Sequence, residues 1–596
     1  MSQSLTTVRY EWKDIPWKQI QVKVFKLQRR IYRASQSGDV KQVHKLQRLL
    51  MKSWYAKCLA ARRVTQDNQG KKTAGVDGVK SLTPAQRFQL INAMDFKSKS
   101  RAVRRVWIPK PGKAEKRPLG IPTMHDRALQ ALLKMALEPE WEAKFEPNSY
   151  GFRPGRSAHD AIEATFTAIA QKAKFVLDAD IARCFDKINH NELIRKLNTF
   201  SLAGRVIRGW LKAGVMDGNH LFPTIDGVPQ GGVISPLLAN IALHGLETFL
   251  LSQYPERKNG QNWKPQLIRY ADDFVALHPD LKVIEECKAL ITDWLTALGL
   301  ELKPSKTRIA HTLNPVGEQK PGFDFLGFNI RSYPAGKTNS GKNNGKLTGF
   351  QTFIKPSKVN VKAHYRKMAK HIDSLKAAPQ KRIISDLNPA IRGWSNYYST
   401  VVSTKIYALL DTLLYRKLWR WAKFRHPKKG NRWIAKRYWR FGEGQGWKFS
   451  DGVIKLHRHD KTPIQRHIKV KGTTSPYDGN WTYWSKRRGT YPGLSTKVST
   501  AIKRQKGKCT ECGLHFHLDD VIEIHHLDGN HRNNKMENLA AIHRHCHDQI
   551  HGIHGGKGNL STELSTHVKG QSGEKPDERK LSRPVLKPSM GGDLHA

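Results

Sequence analysis

Two adjacent carboxylates, Asp272 and Asp273, lie between the apolar runs Leu267-Ile268 and Phe274-Val275-Ala276-Leu277. This pattern predicts a tight β-hairpin presenting acids at its tip, which can hold divalent metal ions. A solitary Asp-Asp pair would read as an ordinary solvated turn. Upstream, however, Phe175-Val176-Leu177-Asp178-Ala179-Asp180-Ile181 is an apolar strand ending in acid, and one more carboxylate is what a two-metal phosphoryl-transfer site needs. A second concentration of chemistry lies near the C-terminus, where nine of the 26 histidines fall between His515 and His551. There Cys509-x-x-Cys512 with His543-x-x-Cys546 has the spacing of a structural tetrahedral zinc site, which so short a module needs because it cannot bury an adequate core. His547 and His551 are four apart and so share a helix face.

Composition points to the partner. The chain carries 103 Lys plus Arg against 50 Asp plus Glu, a net charge of +53 too widely spread to be one solvated helix face. A polyanion is required. No stretch approaches the ~18 uninterrupted apolar residues of a membrane span, and Met1 to Lys13 lacks an apolar signal region, so nucleic acid in a cytoplasmic setting is preferred over membrane. Residues 415 to 440 hold eleven Lys or Arg, seven aromatics and no acid. Without acids to form i,i+4 pairs, phosphate completes the pairing, and Trp and Arg can stack on splayed bases. Cys58, Cys184 and Cys287 are isolated and read as buried small hydrophobes rather than a disulfide framework.

The 596 residues suffice for about four average domains. Residues 17 to 65 read as two helices separated near Ser37-Gly38-Asp39, with Val43, Leu46, Leu50 and Trp54 at helical spacing on the second. Residues 70 to 330 alternate strands and helices, as in an α+β domain. The stretch from Pro334 to Gly349 reads as a loop into the next domain, residues 355 to 440 as basic helices, and Phe441 to Gly446 as a linker. Residues 447 to 505 show no clear periodicity, 506 to 552 form the Cys/His module, and the polar tail from Gly555 to Ala596 is expected to be disordered.

The order Asp180…Phe185, Pro229-Gln230-Gly231, Tyr270-Ala271-Asp272-Asp273 resembles the palm of reverse transcriptases. Further blocks narrow the resemblance to the proteins encoded by mobile group II introns: Gly75-Val76-Asp77-Gly78, Arg117-Pro118-Leu119-Gly120-Ile121-Pro122, Asn148-Ser149-Tyr150-Gly151-Phe152-Arg153, Gly227 through Pro236, and Phe323-Asp324-Phe325-Leu326-Gly327. Arg392-Gly393-Trp394-Ser395-Asn396-Tyr397-Tyr398 resembles the maturase, or thumb, signature, with Trp394 read as a core anchor.

The resemblance implies a multidomain α+β chain with six parts. These are an N-terminal helical extension (1–69), a right-hand fingers-palm reverse transcriptase (70–333), an α-helical maturase thumb (350–440), a DNA-binding segment (447–505), a zinc-stabilised ββα-metal module of the His-Asn-His (HNH) nucleases (506–552) and a tail (553–596). It implies that Asp180, Ile181, Asp272 and Asp273 hold Mg2+, with Asp178 and Asp186 as caps. Lys110, Arg117, Phe185, Gln230 and Lys306 would serve the dNTP, with Phe185 as the gate under the deoxyribose. In the module, His526 would be the general base, Asn538 would orient it, and His525, His547 and His551 would bind a catalytic Mg2+. Cys509, Cys512, His543 and Cys546 would bind structural Zn2+, although a histidine departs from the more usual all-cysteine set. Arg416, Arg420, Lys423 and Arg425 would contact RNA. The implied partners are intron RNA, carried as a lariat ribonucleoprotein, and double-stranded target DNA. The implied activities are RNA-directed DNA synthesis, maturation and second-strand cutting during retrohoming. A splicing cofactor with a DNA-binding zinc knuckle is the competing reading.

Overall fold

The computed structural model describes residues 11–109, 116–258, 260–441, 447–489, 494–516 and 520–555. Lys110 and the tail from 556 therefore lie outside the described residues.

The chain opens with helices α1 (Trp17–Gln36), α2 (Val40–Lys52) and α3 (Trp54–Arg62), where two had been expected. Ser53, at ψ 124°, leaves the helical basin and splits the second expected helix. Val43, Leu46 and Leu50 face the core, while Trp54 starts α3 and stays partly exposed. Gly38 (φ 73°) supplies the left-handed turn after α1, and the Asp39 carboxylate caps α2 by accepting from Gln42 N.

Strands β1 (Val103–Pro109) and β2 (Lys116–Ile121) precede α4 (Met124–Lys144), against which α1, α2 and α3 all pack. Polar ties reinforce that packing: Gln28 donates to Met135 O, and Gln47 to Glu140. Next come α5 (Ala158–Ile169), β3 (Phe175–Asp180), the short β4 (Val215–Asp217) and β5 (His220–Phe222), then β6 (Gln266–Tyr270), β7 (Asp273–His278) and β8 (Arg308–His311). Two sheets result, one in the order β2-β1-β4-β5 and a fully antiparallel one in the order β8-β3-β7-β6. Every residue of β7 is buried, which explains why its sequence runs apolar from Phe274 to Leu277 before the buried His278.

A third sheet joins β9 (Phe323–Phe325), β10 (Phe328–Pro334) and β11 (Phe350–Pro356). It corrects the expected boundary between 333 and 350: β10 pairs with β11 out to Pro334↔Phe350, so 335–349 is an excursion between neighbouring strands. Ile330 and Ile354 alternate inward with Phe328 to one core that Tyr398 and Tyr407 also enter. Helices α6 (Lys358–Ser374), α7 (Gln380–Tyr398), α8 (Thr404–Arg425) and α9 (Asn431–Tyr438) follow.

Of the linker expected at 441–446, residues 442–446 lie outside the described residues. β12 (Trp439–Phe441) and β13 (Trp447–Phe449) pair as a hairpin, and Phe449 packs with Trp421, Tyr438 and Trp439 in the helical core. The next segment is strapped over the α+β lobe rather than standing apart. Val470 N donates to the buried Asp160 carboxylate, Arg487 bridges the same group, and Tyr477 donates to Glu138. Helix α10 (Thr496–Arg504) contributes Val498, Ala501 and Ile502 to the core of the Cys/His module, which therefore begins before residue 506. The module closes with β14 (Ile522–His526), β15 (Leu539–His543) and α11 (Arg544–Gly555).

Candidate metal centres and nucleic-acid surface

The β6–β7 hairpin turns at Ala271, whose φ of 57° is a left-handed conformation that a non-glycine residue enters at a cost. Its neighbours hold it there. The buried Arg269 guanidinium donates to Ala271 O (3.2 Å) and to Asn240 Oδ1 (3.3 Å), while Asn240 Nδ2 donates to Gly151 O (2.7 Å). Tyr150 N in turn donates to Arg269 O, laying the 148–151 segment along β6. Gly151 is forced by space: a Cβ there would stand 2.3 Å from Ala271 N.

Strand pairing then sets Asp180 directly across from Asp273, and Ile181 N donates to Asp272 O (3.2 Å). Burial and the Asp180 charge push Asp272 up to about 6; burial, then Asp272 and Asp180, push Asp273 well above the carboxylate range. Such mutual repulsion is relieved by a cation. Lys306 Nζ stands 3.0 Å from Asp180 Oδ2. Burial would lower the Lys306 ammonium, but Asp180, Asp273 and Asp272 outweigh it and hold it charged. Asp178 is engaged elsewhere, with Arg308 Nε at 3.0 Å.

The glycine-bounded loop Gly227–Gly231 runs beside this cluster. Gly227 (φ 89°) has room only for hydrogen, since a Cβ would meet Asp186 O at 2.6 Å; at Gly231 (φ 110°) it would meet Gly120 O at 2.6 Å. This threading joins three of the expected nucleotide residues. Gln230 O accepts from Gly120 N in the strand that carries Arg117, Gln230 Nε2 donates to Asp186 Oδ1 (3.4 Å), and Phe185 O accepts from Val228 N. The Arg117 charge acts on both Asp272 and Asp186. Phe185 is half-buried, edge-on to Phe152 at 6.0 Å.

In the C-terminal module, the ligand atoms of Cys509, Cys512, His543 and Cys546 all lie within 4.8 Å of one another, and all four residues are buried. His543 Nδ1 faces Cys512 Sγ (3.3 Å) while its Nε2 meets Asp520 Oδ2 (3.1 Å). One histidine nitrogen therefore faces the cysteines and the other a carboxylate, the usual arrangement behind a histidine ligand. His525, His547 and His551 form a second cluster of the same tightness, beside which His526 packs edge-on to His531. Burial and the surrounding imidazoles push His525 down from its ordinary value. Asn538 lies across the hairpin from His526 and Leu527: Leu527 N donates to Asn538 O (2.9 Å), while the Asn538 side-chain amide donates to Asp528 Oδ1 and Asn533 O and accepts from Asp528 N, which ties together the loop between β14 and β15.

On α8, Arg416, Arg420 and Lys423 are exposed at helical spacing along one stripe. Arg425 differs, because its Nη1 donates to Lys376 O and Ala378 O and its guanidinium covers Trp421. Trp394 lies flat on His364 at 4.6 Å, packed against the core.

Sequence reasoning left Arg269, Asn240, Asp520 and Glu523 without roles. Two signals were available: a lone arginine inside an apolar strand, and an acid, Glu523, two residues before the histidine ligand His525 on β14.

Comparison with known proteins places the chain in a family. Residues 12–94 match the N-terminal domain of reverse transcriptase, 108–330 the reverse transcriptase (RNA-dependent DNA polymerase) family, and 361–439 the group II intron maturase-specific domain. The chain is 32% identical over 350 residues to Protein YkfC of Escherichia coli, covering 52% of this chain and 88% of that protein. It is 28% identical over 409 residues to the group II intron-encoded protein LtrA of Lactococcus lactis subsp. cremoris, covering 56% of this chain and 66% of that one. A 91 kDa protein in the cob intron of Schizosaccharomyces pombe is 29% identical over 386 residues, covering 53% and 46%. No described helix is long and apolar enough to cross a membrane. With both polymerase and maturase domains in order along it, the chain belongs to the group II intron-encoded proteins, as a reverse transcriptase and maturase.

Proposed function

We propose that this protein mobilises its parent intron: it binds the intron RNA, assists splicing, stays on the lariat and copies the RNA into DNA at a cut target site. The observation that carries the reading is the pairing of Asp180 with Asp273 beside Asp272, under a braced turn. The α+β lobe through β8 would be fingers and palm, helices α6 to α9 the thumb, and 1–69 an RNA-contacting extension. Carboxylate oxygens and the Ile181 position suit Mg2+, which when bound would stabilise charge on the transferring phosphate. The chain's own share is positioning. Arg117 and Lys110 would hold the triphosphate, Phe185 would exclude a 2′-hydroxyl, Gln230 would line the pocket, and Lys306 would release Asp180 to face the leaving group. Arg416, Arg420 and Lys423 would carry phosphate contacts, with Arg425 as a structural tie.

For the C-terminal module we propose a zinc-stabilised nuclease. Three thiols and one imidazole fit Zn2+. The second cluster, however, is made of imidazoles alone, a donor set better suited to borderline transition ions than to Mg2+, so Mg2+ is not carried over to it. His526 would take the proton from the attacking water, and Asn538 would act by holding the loop that aims it. The histidine cluster supports this reading over a zinc knuckle, which needs only the four-residue set.

A target-DNA reaction with the intron ribonucleoprotein tests the whole proposal. Asp272→Ala should insert and nick without making complementary DNA, and His526→Ala should insert without nicking. Full nicking by His526→Ala would leave the module a knuckle, and complementary DNA from Asp272→Ala would remove the polymerase assignment.

A further inference from the structure

Strand β14 alternates. Ile522 and Ile524 turn to the module core, and Glu523 and His525 share the opposite face. On that face the Glu523 carboxylate is mostly buried, and Oε2 lies 2.7 Å from His547 Nδ1, with Arg544 Nε 3.5 Å from its other oxygen. His547 Nε2 is meanwhile 3.0 Å from His551 Nε2. Two imidazole nitrogens that close cannot both carry protons facing each other. If His547 donates Nδ1–H to Glu523, its Nε2 bears a lone pair directed into the His525–His547–His551 cluster.

We propose that Glu523 is a positioning residue for this histidine site. By accepting from His547 Nδ1 it fixes the tautomer and ring orientation that aim Nε2 at a divalent transition ion. The inference rests on reading the three histidines as one metal site. Asp520 stands in the same relation to His543 at the thiol site, so the start of β14 and the residues just before it supply one carboxylate behind each cluster. Removing a carboxylate behind a metal-binding histidine typically weakens the metal by about 10–100-fold.

Ni2+ titration of the full-length protein, followed by calorimetry, tests this, since imidazole nitrogens favour Ni2+ over hard carboxylate sites. Zinc content measured on the same samples reports the fold of the module. Glu523→Ala should weaken Ni2+ binding by about 10–100-fold, and Glu523→Gln, whose amide oxygen can still accept from Nδ1, should weaken it less. His547→Ala should abolish binding. Wild-type affinity in Glu523→Ala together with loss in His547→Ala overturns the role of Glu523 and leaves the site standing. Wild-type affinity in His547→Ala overturns the site itself. Should Glu523→Ala lose zinc, Glu523→Gln decides alone, and unchanged Ni2+ affinity there is the overturning result.

Discussion

Replacing Gly151 with alanine isolates what places the acidic turn. The added Cβ would lie 2.3 Å from Ala271 N, 2.9 Å from Tyr270 C and 3.0 Å from Ala271 Cα, all backbone atoms of the turn. To reach an ordinary contact of roughly 3.5 Å the two segments must part by about 1 Å. Neither can yield freely, because Gly151 O is held by Asn240, Arg269 ties Asn240 to the turn, and Tyr150 N is bonded to Arg269 O. The displacement falls on Ala271 and on Asp272 beside it. Misplacing a reacting group by ~1 Å can cost ~100-fold in rate, equivalent to about 3 kcal/mol of barrier. Overpacking should cost only about 1–3 kcal/mol of stability, so the protein should remain folded. Primer extension on an RNA template at saturating dNTP, with thermal unfolding in parallel, gives both quantities. Gly336→Ala is the control, since nothing lies within 4 Å of its added Cβ. Extension by Gly151→Ala at close to the wild-type rate would refute the idea that this close approach positions the metal ligands.

Other consequences are open to direct measurement. Replacing Arg416, Arg420 and Lys423 together with alanine should flatten the log-log salt dependence of intron RNA binding by about 0.7–0.9 for each phosphate interaction removed. Arg425→Ala should instead lower the melting temperature and leave that slope unchanged, because its guanidinium is tied to Lys376 O and Ala378 O. Cys509→Ser should release zinc and melt the C-terminal module in a metal assay coupled to proteolysis, leaving primer extension intact. Glu146 predicts an acid-labile fold. Burial alone would raise its carboxyl, but His244, Arg269 and the Thr248 N–H hold it near about 2, below the ordinary 4.5. A depressed folded value stabilises above the unfolded one, so on the order of 3 kcal/mol should be lost as pH falls from about 4.5 to about 2, and Glu146→Gln should flatten that part of the stability curve.

The acidic hairpin, the strand ending at Asp180 and the Cys509–Cys512–His543–Cys546 set were legible in the sequence because each depends on local periodicity or spacing, whereas the three-histidine cluster was reached only through the family resemblance. Arg269 and Asn240 were not, since a brace between distant segments leaves no periodic trace. Two of the stretches read as inter-domain connections share a cause. Gly-rich and polar stretches read as linkers, yet at 335–349 and 442–446 the residues on either side are neighbouring strands of one sheet. The strap over the α+β lobe was invisible because its anchors, Val470, Tyr477 and Arg487, meet partners more than 300 residues away. Asn538 was legible as a motif residue, but its bonds to Asp528 and Asn533 appear only in the folded loop.

RNA-templated primer extension by the purified protein with Mg2+, comparing wild type with Asp272→Ala, tests the central claim most directly. The account predicts processive DNA synthesis by the wild type and none by a variant that still binds intron RNA and promotes splicing; DNA synthesis by the variant at a comparable rate would contradict it.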